Sequence, residues 1–296
     1  MKQNRLWKMS VLALATCLLT GCVNQKQGNS TSEENVKEPS IVSTSVATCE
    51  ILDALEIENV VGVPSSAYDL PERYHEATPI GSAMTPDLEI VKSLNPSYVI
   101  SPKSLESDLA SKYEAAGLNS IFINLSSVEG MYKSIEGLGE VFGTKQQAES
   151  LISEFTTFME EYQQAHEAEE APTVLILMGL PGSYVVATEN SYVGNLVELA
   201  GGKNVYAGTS TEDYININTE DMVQTNPDII LRTAHALPDQ VMEMFAEEFE
   251  TNDVWKHFEA VQEGKVYDLN SEHFGMSANL GYQDAIAELE TIFYGN

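Results

Sequence analysis

Two stretches decide the fold: PDLEIVKSLNPSYVI (residues 86–100) and NINTEDMVQTNPDIIL (residues 216–231). In both, a glutamate stands seven residues before a proline, Glu89 before Pro96 and Glu220 before Pro227. The residue preceding a proline is pushed away from the helical region, so Asn95 and Asn226 end the short helical segments in front of them. The apolar run beyond each proline reads as a buried strand. One such phrase would carry little weight. Two, at corresponding places in the halves of the chain, predict a two-lobed protein with related lobes.

Working outward, short apolar runs alternate with amphipathic segments from Ile41 onward. VVGVP (60–64), SYVIS (97–101), NSIFINL (119–125), TVLILMG (173–179), SYVVAT (183–188), PDIILR (227–232) and GKVYDL (264–269) are the predicted strands. LASKYEAAGL (109–118) and GNLVELAGG (194–202) are among the helices between them. This alternation predicts an α/β fold, and the hairpin TVLILMGLPGSYVVAT means that the sheets need not be wholly parallel. Between the halves, residues 144–168 run without Pro or Gly, with Leu151, Phe155, Phe158 and Tyr162 in one apolar stripe. A helix of about 25 residues spans roughly 37 Å, enough to join two lobes. Thr144 with Gln147 predicts a capping box at its start, and the acidic stretch around His166 predicts a solvated end.

The ends of the text carry a different message. MKQNRLWKMS is basic, VLALATCLL is apolar, and LTGC closes the run at Cys22. The order predicts an export signal over residues 1–21, too short to span a bilayer. LTGC resembles the lipobox of bacterial lipoproteins, which implies a lipid-modified, palmitate-bearing Cys22. Residues 22–40 are polar and cannot bury enough surface to order themselves, so they read as a tether. The expected body then divides into a lobe at 41–143, the helix at 144–168 and a lobe at 169–296. Cys17 leaves with the signal and Cys22 is used by the anchor. Cys49 alone remains, so no internal disulfide is expected.

The 296 residues carry a formal net charge of −30, which argues against nucleic acid as a partner. No GxSxG, HExxH, Walker A or dinucleotide fingerprint occurs, so an enzyme is not expected. CxxCH is absent, which excludes covalent c-type haem. Of the five histidines, His75 and His166 read as surface residues and His257 as part of an amphipathic helix. His235 follows a predicted strand, where a ligand commonly sits in this architecture, and is either a ligand or an ordinary loop residue. His273 has a similar setting. Met84 lies just before the first repeated unit, as His235 lies just after the second. The two then face one interlobe cleft, and a thioether with an imidazole is a known axial pair for haem iron.

The chain after Cys22 resembles the haem-binding lipoproteins of Gram-positive haem importers, the IsdE type. More broadly it is similar to ABC-transporter substrate-binding proteins with a single helical backbone. The pieces that carry this are IVSTSVATCEILDAL, GVPSSAYDLPERYHEATPIGSAMTPDLE, TVLILMGLPGSYVVAT, NSYVGNLVELAGGKNV, NPDIILRTAHALPDQV, TNDVWKHFEAV and VYDLNSEHFGMSANL. The resemblance implies two Rossmann-like α/β lobes joined by one long helix, with the ligand between them. It implies one non-covalent haem b per chain, its iron held by Met84 and His235. Further haem contacts fall on Val46, Ala47, Ser66, Ala67 and Tyr68. Helix-opening amides at Val46 and Ala47 would receive a propionate, with Lys103 and Arg232 as weaker alternatives. Glu89 and Glu220 would dock on a permease dimer. The resemblance also implies upstream haem-donating surface proteins and a lipid-anchored place on the outer face of a Gram-positive-type cell membrane. A siderophore or corrinoid receptor of the same architecture is the alternative.

Overall fold

The uninterrupted apolar run of residues 174–178 has no polar face to turn to water, and it becomes a central strand buried on both sides. In the computed structural model, which describes residues 38–66 and 68–295, this strand organises one of two sheets. The expected signal, Cys22 with its anchor, and Ala67 lie outside the described residues, as does most of the tether. Glu38 and Ser40, read as tether from composition, are tied to the body. Asn59 donates to the Glu38 carbonyl at 3.0 Å, and the Ser97 amide donates to the Ser40 carbonyl at 2.7 Å.

The first sheet is parallel throughout. Its strands are β1 (Ile41–Ser43), β2 (Val60–Val63), β3 (Thr78–Pro79), β6 (Tyr98–Pro102) and β7 (Ser120–Ile123), in the order β3-β2-β1-β6-β7. Between β3 and β6 comes a small hairpin, β4 (Gly81–Ser82) and β5 (Thr85–Pro86), and then helix α2 (Leu88–Ser93). Helices α1 (Val46–Ala54), α3 (Glu106–Ala116) and α4 (Val128–Phe142) complete this lobe.

The second sheet is mixed. Its centre is β8 (Thr173–Leu180), with β9 (Ser183–Ala187) antiparallel to it across a tight hairpin. Strands β10 (Lys203–Asn204), β12 (Ile229–Ala234) and β13 (Val266–Asp268) run parallel to β8, and β11 (Tyr214–Ile215) pairs antiparallel with β9. Its helices are α6 (Tyr192–Leu199), α7 (Thr219–Val223), α8 (Pro238–Thr251), α9 (Glu259–Gln262) and α10 (Tyr282–Tyr294). His257 ends a 3-10 turn (Asp253–His257), not the α-helix expected of its surroundings. The break is made by Phe258, whose extended backbone separates that turn from α9.

Helix α5 (Lys145–His166) joins the lobes. Its start corrects the capping expectation. Thr144 makes no side-chain cap, its hydroxyl is buried without a partner, and Gln147 reaches Glu56 instead at 2.8 Å. Gly143, left-handed at φ 76°, ends α4 immediately before, so Thr144 is caught in a tight corner between two helices. The far end corrects a second expectation. His166 is mostly covered, its ring lying between Tyr162 (4.4 Å between centroids) and Tyr294 (4.9 Å). A nitrogen of the ring meets the Tyr162 carbonyl at 2.9 Å, and the other faces Glu290 at 3.3 Å.

The apolar stripe of α5 does not pack on one lobe alone. Phe155 stacks on Tyr132 of α4 at 4.4 Å, and Tyr282 of α10 stands edge-on to Tyr132, Phe155 and Phe158 at 5.6–5.9 Å. Each such pair adds about 0.5–1.5 kcal/mol beyond its buried area. One continuous cluster of buried side chains runs from Ile41 and Leu52 through Met131 and Tyr162 to Ile176 and Leu289. The lobes therefore share a core. Polar contacts add to it, with the Ala278 amide on the Leu125 carbonyl at 2.8 Å and Asn195 bridging the Val128 amide and Glu129. Cys49, buried and free, sits in this core with its thiol pushed up to about 12 by desolvation, which leaves it chemically quiet.

Candidate functional site

Parallel strands deliver all their following loops to one edge, and the predicted residues map onto those loops. Val46 and Ala47 open α1 just beyond β1. Ser45 caps that helix, its hydroxyl accepting from the Thr48 amide at 3.3 Å. The first amides of α1 have no partner inside the helix, and they sit where a carboxylate could be received. The end of β1 is locked to β6 by a buried chain of hydroxyls, Thr44 to Ser101 at 2.9 Å and Ser101 to Tyr113 at 3.1 Å.

Ser66 and Tyr68 lie on the loop after β2, with the Tyr68 amide donating to the Ser66 hydroxyl at 3.0 Å. Both are exposed. The neighbouring Ser65 donates to the Gly81 carbonyl at 2.8 Å, which ties this loop to the hairpin after β3. Met84 occupies the two-residue turn of that hairpin and is 66% exposed. The turn is braced by Ser82 and Thr85, whose hydroxyls lie 2.8 Å apart. An exposed thioether at a hairpin tip is not a core methionine.

His235 belongs to the other lobe, directly after β12. Its amide donates to the Gly179 carbonyl at 2.8 Å, continuing the β8–β12 ladder by one step. The residue is surface-accessible, yet the surrounding protein removes enough water to hold the ring's pKa below the ordinary 6.5. Desolvation thus favours the neutral imidazole, the form with a free nitrogen lone pair.

The structure brings Val46, Ala47, Ser66, Tyr68 and Met84 to one edge of the first sheet, and places His235 at the corresponding edge of the second. Tyr68, Met84 and Leu237 are exposed large apolar side chains, and all three stand on these edge loops. Leu237 carried no signal beyond its two-residue distance from His235. Arg232, by contrast, leaves the candidate set. It makes a two-pronged pair with Asp268 at 2.6 and 2.8 Å and stacks 4.7 Å from the Phe249 ring centre. Lys103 has no ion pair among the described residues and lines a small cavity of about 180 Å³ with Asn124, Ser126, Asp213 and Met276.

A larger cavity, about 520 Å³, lies farther along between α1 and the loop before α10. Glu50, Asp53, Asp69, Glu272 and His273 line it, and burial raises the Glu50 carboxyl. An acid-lined space is a poor host for a dicarboxylate.

The repeated phrases become repeated structures. Asp87 caps α2 and Asn218 caps α7, which puts Glu89 and Glu220 at the second residue of each helix, both exposed. Asn95 (φ 46°) and Asn226 (φ 41°) then turn the chain left-handed before their prolines.

A family model described as periplasmic binding protein matches residues 41–273. The high-affinity heme uptake system protein IsdE of Staphylococcus aureus is 40% identical over 287 residues, 97% of each chain. A crystal structure of S. aureus IsdE complexed with heme superposes at a TM-score of 0.82 with 41% identity, covering 87% of this chain and 99% of that one. An ABC transporter substrate-binding protein from Listeria monocytogenes EGD-e gives 0.83 and 46%, covering 88% of this chain and 100% of that one.

Proposed function

Since the chain belongs to the periplasmic binding protein family, we propose that it is an extracellular receptor, not an enzyme, that captures haem and passes it to an ABC permease. The observation that supports this reading is the chemistry of the loops at the strand ends of the two sheets. One lobe offers an exposed thioether at Met84, the other an imidazole kept neutral at His235, and the exposed Tyr68 and Leu237 stand on loops at the same strand ends. A flat, mostly apolar ring with a central iron asks for those three things. The imidazole serves either iron oxidation state, and the soft thioether favours the ferrous one. Val46 and Ala47 would hold a propionate through their amides, and Ser66 would lie against the ring. The relatives named above, one of them solved with heme, point the same way. A siderophore or corrinoid receptor is less favoured, because Arg232, the arginine three residues before His235, is engaged by Asp268.

The visible spectrum of the protein body with added haemin tests the proposal. A sharp Soret band with separate α and β bands on reduction is the expected result for low-spin Met/His ligation. No change of the haemin spectrum on mixing would end the haem reading.

Delivery would use the two exposed glutamates. Glu89 and Glu220 hold equivalent places in the two lobes, so basic groups on the two permease subunits would each meet one acid. Cys22 would anchor the receptor to the outer face of the membrane beside that permease, and surface proteins farther out would supply the haem. Replacing both glutamates with Ala should leave haem spectra unchanged and sharply reduce permease binding, and raised salt should weaken the wild-type complex far more than the variant's. Normal haem import by the double variant would place the docking surface elsewhere.

A further inference from the structure

Among the described residues, five non-glycine residues have positive φ. Asn95 and Asn226 are of a type that tolerates the left-handed region, and Glu56 follows the end of α1. The other two, Ala236 (64°) and Leu237 (44°), stand side by side directly after His235. Neither type favours this conformation. Leu237 is also 53% exposed, so it contributes little to the core in return.

The surroundings explain why the strain cannot relax. Helix α8 begins at Pro238, only a short step beyond the end of β12 at Ala234. It lies so near β8 that a Cβ on Gly179 would come within 2.2 Å of Val241 and 2.7 Å of Phe245. Gly179 is the register partner of Ala234, and its carbonyl receives the His235 amide. The chain is thus fixed by the sheet on one side and by close helix packing on the other. Leu237 fills the N-cap position of α8 without any side-chain cap, in a left-handed backbone that Asn would tolerate better. A sequence chosen for stability alone would not place Leu there.

We infer that Ala236–Leu237 is a positioning device for the ligand cleft: the strained pair fixes the direction of His235, and Leu237 supplies an apolar contact to the ring that His235 holds. The inference rests on the haem reading. It accounts for an exposed leucine held in an unfavourable conformation two residues from the proposed iron ligand. Bound porphyrin would cover that leucine.

Two variants separate the parts, each measured as the haemin-loaded protein body against an excess of a haem scavenger. Leu237→Asn keeps the left-handed backbone and removes the apolar surface, and haem release should quicken about tenfold with the low-spin bands retained. Ala236→Gly keeps Leu237 and relaxes the strain. The haem-free variant should melt at or above the wild-type temperature, yet release haem several-fold faster, with broadened bands from a less fixed imidazole. A purely structural loop would change melting and leave release untouched. If wild type shows His235-dependent low-spin bands while both variants release haem at its rate, this inference falls and the haem reading stands. If wild type takes up no haemin, the haem reading falls, and this inference with it.

Discussion

Met84 and His235 are carried by loops of opposite build. Met84 rides the turn of a two-stranded hairpin that projects from the sheet edge, braced by two hydroxyls and open to solvent. His235 extends a central strand, is bonded to the neighbouring strand, and is followed at once by a strained turn into a packed helix. The difference teaches that a cleft can hold its ligand with one fixed arm and one compliant arm. A fixed imidazole loses little freedom when it meets iron, whereas an exposed, flexible thioether must be ordered first.

The strongest attempt to break this contrast is to remove each proposed ligand in turn. His235→Ala should accelerate haem release by roughly a hundredfold, a loss of about 2.7 kcal/mol. Met84→Ala should accelerate it by roughly tenfold, since water can partly replace a lost thioether. Stopped-flow transfer to a scavenger measures both, and equal effects would remove the distinction. His273→Ala should leave the spectrum unchanged, because His273 belongs to the acid-lined cavity.

A smaller effect sharpens the comparison on the fixed side. Desolvation lowers the His235 pKa in the folded state, so the unfolded chain takes up the proton first as pH falls. The stability linked to this ring is therefore fully lost only below the folded pKa and begins to fall near the unfolded value of about 6.5. Ring proton resonances of the haem-free protein should titrate below 6.5 for His235. A midpoint at or above that value would contradict a desolvated imidazole.

The smallest expected change is in overall shape. The compliant arm belongs to a local hairpin, so it need not recruit the lobes. The shared core through α4, α5 and α10 opposes large closure. Solution scattering with and without haemin should show radii of gyration within about 1 Å of each other. A larger compaction would mean that the lobes, and not the hairpin, supply the motion.

Much of this was legible in the residues. The Asn-Pro phrases announced a duplicated unit because proline and its predecessor act locally. The buried strands were visible as apolar runs for the same reason. The short strands β10 and β11 carried no such signal, since two-residue strands exist only through partners distant in sequence. Thr144 misled because a capping box is a local rule, and the α4–α5 corner, set by Gly143, overrides it. His166 misled because its acidic neighbours suggested water, while the ring that covers it comes from Tyr294, far along the chain. At the proposed site, His235 stood out because it follows a predicted strand, and Met84 because it precedes the first repeated unit. The strain at Ala236 and Leu237 depends on how closely α8 approaches Gly179, which no pattern of side chains records.

The aromatic cluster around α5 also has a consequence for how the protein is made. Tyr132, Phe155 and Phe158 are all synthesised more than a hundred residues before Tyr282, yet it is Tyr282 that closes over them. Ala285, Ile286 and Leu289 of the same helix complete the buried cluster beneath both sheets. A nascent chain that has not yet reached α10 therefore presents an open apolar seam along its central helix. The two lobes should therefore fold as one cooperative unit and not one after the other.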